Sequence, residues 1–178
     1  MFEIGNYVLN ATNGICKINE VVELDMSGDK VLKSYFLLRP VESEHDKVYI
    51  PVDKAEQRIR KVISKDEALS IIDSISSVDI LTISNEKERE AKYKEAVRSC
   101  EPEQIIGLLK CLFVRNKERA EQGKRSTAID ERYLKMAENN LYSEFAFVLE
   151  RDKKEISDMI QKAISWRGVA FLKLCFLK

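Results

Sequence analysis

The sequence is short of histidine, tryptophan, proline and glycine: one, one, three and six of them in 178 residues. The single histidine, His45, sits in a turn-type cluster and forms no nucleophile–base pattern with the scattered cysteines. The four cysteines, Cys16, Cys100, Cys111 and Cys175, include no C-x-x-C pair, which together with one histidine argues against a zinc site. They read instead as small buried apolar groups of a reducing cytoplasm. No window approaches the roughly 20 apolar residues that a membrane span needs. The opening MFEIGNYV carries neither a basic segment nor a long apolar core, so no secretion signal is expected and the localisation is read as cytoplasmic. Lysine plus arginine equal aspartate plus glutamate at 30 each, which excludes a histone-like basic protein while leaving local charge free to matter. No internal repeat or low-complexity run is present. The reading carries no cofactor, no metal, no small-molecule substrate and no enzymatic activity.

What is there falls into two halves with different periods. Up to residue 63 the pattern is period-2, rich in β-branched and aromatic residues, with strands expected near residues 7–9, 15–24, 31–38, 47–50 and 58–63. Asn13-Gly14, Ser27-Gly28-Asp29 and Glu44-His45-Asp46 are the turn clusters between them. Pro40 and Pro51 stand at strand ends, where a missing N–H is tolerated. Five short strands in so few residues suggest a small, strongly bent barrel, since a flat sheet of that size cannot bury its own faces.

From Ser64 onward the period becomes helical. Ser64 and Glu67 have capping-box spacing ahead of a helix over 65–75. Residues 85–99 form a strongly charged helix. Pro102 suits the first turn of the next, whose Ile105, Leu108, Leu109 and Leu112 recur at helical spacing before a stop near Gly123. Thr127 and Asp130 open another helix with the stripe Leu134, Ala137, Leu141, Phe145 and Val148, and residues 152–165 make a last amphipathic one. The fold class is therefore α+β: a β module over 1–63, an all-α domain over 64–165, and an apolar tail, WRGVAFLKLCFLK, over 166–178. The tail fits a helical extension packed on its own protein, a self-association segment, or a strip lying on a membrane surface.

Charge is uneven within the neutral total. Residues 110–135 hold eight basic side chains (Lys110, Arg115, Lys117, Arg119, Lys124, Arg125, Arg132 and Lys135) against four acidic ones. Lys110, Lys117 and Lys124 are seven apart and would line one side of a continuous helix, opposite the apolar stripe. Gly123-Lys124-Arg125-Ser126-Thr127 sets basic groups beside a helix N-terminus, a combination that suits phosphate. The same pattern also fits an ordinary solvated helix face, with Glu118 and Glu121 partly neutralising it. With no base-reading motif, composition supports only sequence-independent backbone binding.

These pieces resemble the CarD/CdnL-type bacterial transcription regulators. The resemblance is carried by F-x-I-G-x-x-V at residues 2–8, Gly14, Ile18, Tyr35-Phe36-x-Leu38, Val48-x-Ile50-Pro51-Val52 and Ile59-Arg60. Farther on it includes Lys92-Tyr93-Lys94, RNKERAEQG and ERYLKMAENNL, and it spans about residues 1–160. It implies a Tudor-like barrel that binds the β subunit of RNA polymerase, followed by a helical domain that touches promoter DNA at the upstream edge of the bubble. Such proteins modulate the open promoter complex and are not enzymes. The implied polymerase-facing residues are Glu23, Leu24, Asp25 and Met26, with Val48 and Tyr49 nearby. The family often carries basic residues where Leu24 and Tyr49 stand. Its asparagine-for-aspartate change at Asn6 and the Asn10-Ala11-Thr12-Asn13-Gly14 turn are departures, the latter keeping Gly14 for its backbone angle. The family's wedge tryptophan corresponds to Arg89, and the only tryptophan here is Trp166.

Two functions follow from these readings. The first is a regulator that binds the polymerase β subunit and contacts promoter DNA through Arg89, Lys117, Lys124, Arg125, Arg132 and Lys135. The second is a protein–protein adaptor whose helical half binds protein and not DNA. They divide on whether the 110–135 patch is a continuous basic surface or is capped by acids.

Overall fold

In a computed structural model, residues 2–43 and 45–175 are described, with side chains as far as residue 164. The chain divides into two compact units, one up to Val62 and one from Ile63.

The first unit is one antiparallel five-stranded sheet. Its strands are β1 Tyr7–Asn10, β2 Gly14–Leu24, β3 Lys33–Pro40, β4 Val48–Pro51 and β5 Ile59–Lys61, in the order β4-β3-β2-β1-β5. The expected barrel is not closed, because β4 and β5 are the two ends of that order and do not pair. At four and three residues they are short, and a 3-10 turn, Val52–Gln57, fills the span between them and buries Ala55. Val8, Cys16, Ile18, Phe36, Leu38, Ile50, Ala55 and Ile59 form the core, with Phe2 and Val48 packed against it. Phe2 meets Phe36 edge-on, with ring centroids 6.3 Å apart. Cys16 belongs to this core, where burial pushes its thiol up to about 12 and leaves it unreactive at neutral pH.

Two turns set the register. The first is organised by Asn10, whose Oδ1 accepts from the N–H of Thr12 (3.1 Å) and Asn13 (3.0 Å) and from Asn13 Nδ2 (2.9 Å). Gly14 closes it at φ +66°, the left-handed angle for which glycine was expected there. The second turn takes residues 25–32, so β3 starts at Lys33 and not at Val31. The difference lies in two aspartates. Asp25 accepts from the N–H of Gly28 (2.7 Å) and Lys30 (2.9 Å), and Asp29 from that of Val31 (3.0 Å). These bonds satisfy backbone donors that a strand would otherwise have used.

The second unit contains α1 Lys65–Ser74, α2 Arg89–Ser99, α3 Pro102–Glu121, α4 Ala128–Leu149 and α5 Lys153–Cys175. The caps follow the sequence. Ser64 and Glu67 form the reciprocal capping box, and Thr127 Oγ1 accepts from the N–H of Asp130 at 3.1 Å. Helix α2 begins four residues later than expected, because Asn85 folds residues 85–88 into a turn by accepting from the N–H of Lys87. Helix α3 is the hub. Beyond the expected Ile105, Leu108, Leu109 and Leu112, it buries Ile106, Gly107 and Lys110. Around it pack Tyr93, Ala96 and Val97 of α2 and Tyr133, Ala137, Leu141 and Phe145 of α4. Backbone helix α5 runs through the boundary drawn at residue 166, as far as Cys175. The placement of the tail's side chains lies outside the described residues.

Candidate functional site

In the β unit, the residues proposed to face a partner lie at two places. Strand β2 is longer than β1. Its register with β1 ends at Lys17, and only Gly5 and Asn6 continue it, through Ile18. A bulge at residue 19 follows, after which residues 20–24 pair with β3 alone among the described residues. The other edge of residues 19–24 therefore presents backbone N–H and C=O groups without a strand partner. Glu23, Asp25 and Met26 are exposed there and Leu24 is half-buried. Exposed Val21, Val31 and Leu32 flank the same hairpin.

Val48 and Tyr49 are not brought to that edge. They lie on β4, on the far side of β3, where Val48 pairs with Leu38 and Tyr49 with Leu37. Two strand spacings, roughly 10 Å, separate β4 from β2. Val48, moreover, packs against the core.

In the helical unit the three-lysine seam does not form. Lys110 is buried and its Nζ donates to the carbonyls of Ser76 (3.4 Å) and Val78 (2.5 Å). Burial lowers its pKa, and the carboxylate of Asp79 partly offsets that. Helix α3 ends at Glu121, so Lys124 lies in the following loop, where its Nζ donates to Gln122 Oε1 at 2.9 Å. Lys117, Lys124, Arg125 and Lys135 are exposed. Arg132 is exposed too, but it is paired with Glu90 and stacked 4.9 Å from the centroid of the Tyr133 ring.

Arg89 and Arg115 have a different surrounding. Arg115 spans the carboxylate of Glu86 with two parallel bonds, Nη1–Oε1 at 2.6 Å and Nη2–Oε2 at 3.1 Å. Arg89 Nη1 reaches the same carboxylate at 2.9 Å. Behind both arginines lies Asp130, fully buried, accepting from Arg115 Nε (3.1 Å) and from the Tyr93 hydroxyl (3.3 Å). Arg89 Nη1 is 3.9 Å from it. Burial alone would raise the Asp130 pKa; hydrogen bonds from Thr127 and Arg115 and the two guanidinium charges outweigh it, so the group stays ionised, below the usual carboxylate value. Tyr93 is buried against Tyr133 and keeps its proton.

Only the Arg89–Glu86 leg of this network was readable in sequence, as an i−3 pair on a helix turn. Arg115 and Asp130 are on different helices, and the spacing of Asp130 after Thr127 reads only as a cap.

An open strand edge on a small antiparallel sheet is the geometry of a partner-binding module, which adds a neighbour's strand to its own. Residues 2–63, which make up the first unit, match the model of the CarD-like/TRCF RID domain, and this supports a CarD-like family for that part of the chain. Domains of this family interact with RNA polymerase and are not themselves enzymes. No curated protein matches the chain. Among the described residues no helix is long and apolar enough to cross a membrane.

Proposed function

We propose that this protein regulates transcription by docking on the β subunit of RNA polymerase through its N-terminal sheet and touching promoter DNA through its helical unit, so that it modulates the stability of the open complex. The observation that carries this reading is the family match over residues 2–63, which falls on the unit with the unpartnered β2 edge. Main-chain bonds along residues 19–24 supply affinity, and Glu23, Leu24, Asp25 and Met26 supply selectivity. Val48 and Tyr49 then form a separate contact across the sheet. Contacts to DNA are of the backbone type, made by Lys117, Lys124, Arg125 and Lys135, with Arg89 and Arg132 held by carboxylates.

Binding of the purified polymerase β subunit to the full chain tests the first contact. Leu24→Glu places a charge at the edge without touching the core, and is expected to weaken binding about tenfold or more. A folded Leu24→Glu protein that binds as tightly as the wild type rules the edge out. Replacing Lys117, Lys124 and Arg125 together by glutamine should weaken DNA binding equally for all sequences and flatten its salt dependence.

A second reading, a protein adaptor that binds no DNA, is favoured by one observation. Arg89, Arg115 and Arg132 are all engaged by carboxylates of the chain itself. An unchanged salt slope in the triple variant would select it.

A further inference from the structure

The Glu86 carboxylate occupies an unusual position. Its side chain is 63% exposed, yet it is gripped by two guanidinium groups that are themselves 11% (Arg89) and 24% (Arg115) exposed. Arg115 is not held there by Glu86 alone. Arg115 is fixed from behind through Nε by the buried Asp130, which in turn is fixed by Tyr93 and sits at the capped first turn of α4. Removing Glu86 would leave Arg115 tied to Asp130 through Nε, with the largely buried Arg89 beside it, 3.9 Å from the same aspartate.

We propose that Arg89 and Arg115 form a phosphate-binding fork, and that Glu86 is its internal stand-in ligand, displaced when a backbone phosphate of DNA arrives. This rests on the DNA-contacting reading above. Three observations support it. A guanidinium meets carboxylate and phosphate oxygens with the same pair of parallel N–H bonds, so the geometry that Arg115 shows with Glu86 is the one a phosphate would take. Arg89 Nε is buried and has no hydrogen-bond partner among the described residues, so the resident carboxylate leaves a donor of the fork unused. Lastly, Glu86 is attached through a turn and not through a helix: Asn85 Oδ1 accepts from the N–H of Lys87, and the N–H of Glu88 donates to the Asn85 carbonyl. Being on an exposed turn, Glu86 can swing away at the cost of its three charge-assisted bonds, whereas Arg115 stays tied to the buried Asp130. The fork therefore stays closed to weak anions and opens to a polyanion that brings a high local density of phosphate.

The test uses the full chain and a duplex DNA of arbitrary sequence, with binding followed by fluorescence anisotropy at low salt. Glu86→Gln removes the stand-in and is expected to tighten binding about threefold to fivefold. Glu118→Gln, an exposed α3 carboxylate outside the network, controls for the loss of one negative charge and is expected to give less than about twofold. Adding Arg115→Lys to Glu86→Gln should return the affinity to that of the wild type, because lysine cannot make the paired bonds. Gains from Glu86→Gln no larger than those from Glu118→Gln would overturn DNA as the ligand that displaces Glu86. A second arm monitors the Nε–H signals of Arg89 and Arg115 by NMR while inorganic phosphate is added to Glu86→Gln. Shifts in those signals without tighter DNA binding would uphold the phosphate fork and overturn DNA as its source. Should no variant bind DNA at all, the DNA-contacting reading fails, and the phosphate titration alone decides the fork: shifted signals uphold it and unmoved signals overturn it.

Discussion

Substituting alanine for Gly107 tests how the segment before α2 is held on α3. Gly107 lies mid-helix, where alanine is ordinarily more stable by about 1 kcal/mol. Here a Cβ would stand 2.8 Å from the Asp79 carbonyl oxygen and 3.5 Å from the Leu81 nitrogen, both of them backbone atoms. The crossing segment cannot retreat freely, since it is tied on both sides of the contact. Lys110 Nζ holds the carbonyls of Ser76 and Val78, and the N–H of Leu81 donates to the Gly107 carbonyl at 3.1 Å. Overpacking of this kind costs about 1–3 kcal/mol, and loss of the Leu81 bond adds about 1. After the helix-propensity gain, the net destabilisation is about 2 kcal/mol, equivalent to a fall in Tm of roughly 6–10 °C for a unit of this size. Thermal unfolding followed by circular dichroism reads it. A Gly107→Ala protein that melts at or above the wild type would refute the reasoning. A sharper check is Lys110→Met, which cuts one tie. In that background the Gly107→Ala penalty should shrink by more than the roughly 0.5 kcal/mol scatter of independent sites; strict additivity would show that the tie is not what confines the segment.

Asp130→Asn should destabilise the helical unit by about 2 kcal/mol, below the full cost of breaking a buried pair because Arg115 keeps Glu86 and is partly exposed; Glu86→Gln, at an exposed site, should change stability by less than about 1 kcal/mol in the same urea titration. The 25–31 turn should loosen in acid. Asp25 is held below the usual carboxylate value chiefly by the Gly28 N–H, so its folded pKa lies under its unfolded one; the stabilisation is complete above about pH 4 and is lost as pH falls through the folded pKa, seen as lower amide protection at Gly28 and Lys30 relative to the intrinsic exchange rate at each pH. Glu150 ends α4 in the left-handed region at φ +52° and is exposed, so Glu150→Gly should raise stability by about 1 kcal/mol, measured as a higher Tm; an unchanged or lower value would mean that the side chain has a compensating contact.

Much of the fold was legible in the sequence because its signals are local. The 2-residue and 3.6-residue periods, the Ser64–Glu67 box, the Thr127 cap, Pro102 at a helix start and Gly14 in its turn each depend on residues a few positions apart, and the structure keeps them all. Of the motifs that resembled the family over about residues 1–160, those within residues 2–63 lie in the stretch that the family model matches, and their spacing is likewise local. What failed or stayed hidden depends on which elements meet. Lys110 has the sequence signature of a surface lysine, and only the passage of residues 76–79 across α3 buries it. Tyr49 and Leu24 belong to strands whose order, not whose sequence, puts β3 between them. The barrel was inferred from strand number, whereas closure depends on whether β4 and β5 reach each other, and a 3-10 turn takes that place. The Arg89–Glu86–Arg115–Asp130 network joins a turn and three helices. A charge in sequence carries a sign and no direction, so beyond the local Arg89–Glu86 pair only the tertiary packing decided that Arg115 faces carboxylates of its own chain.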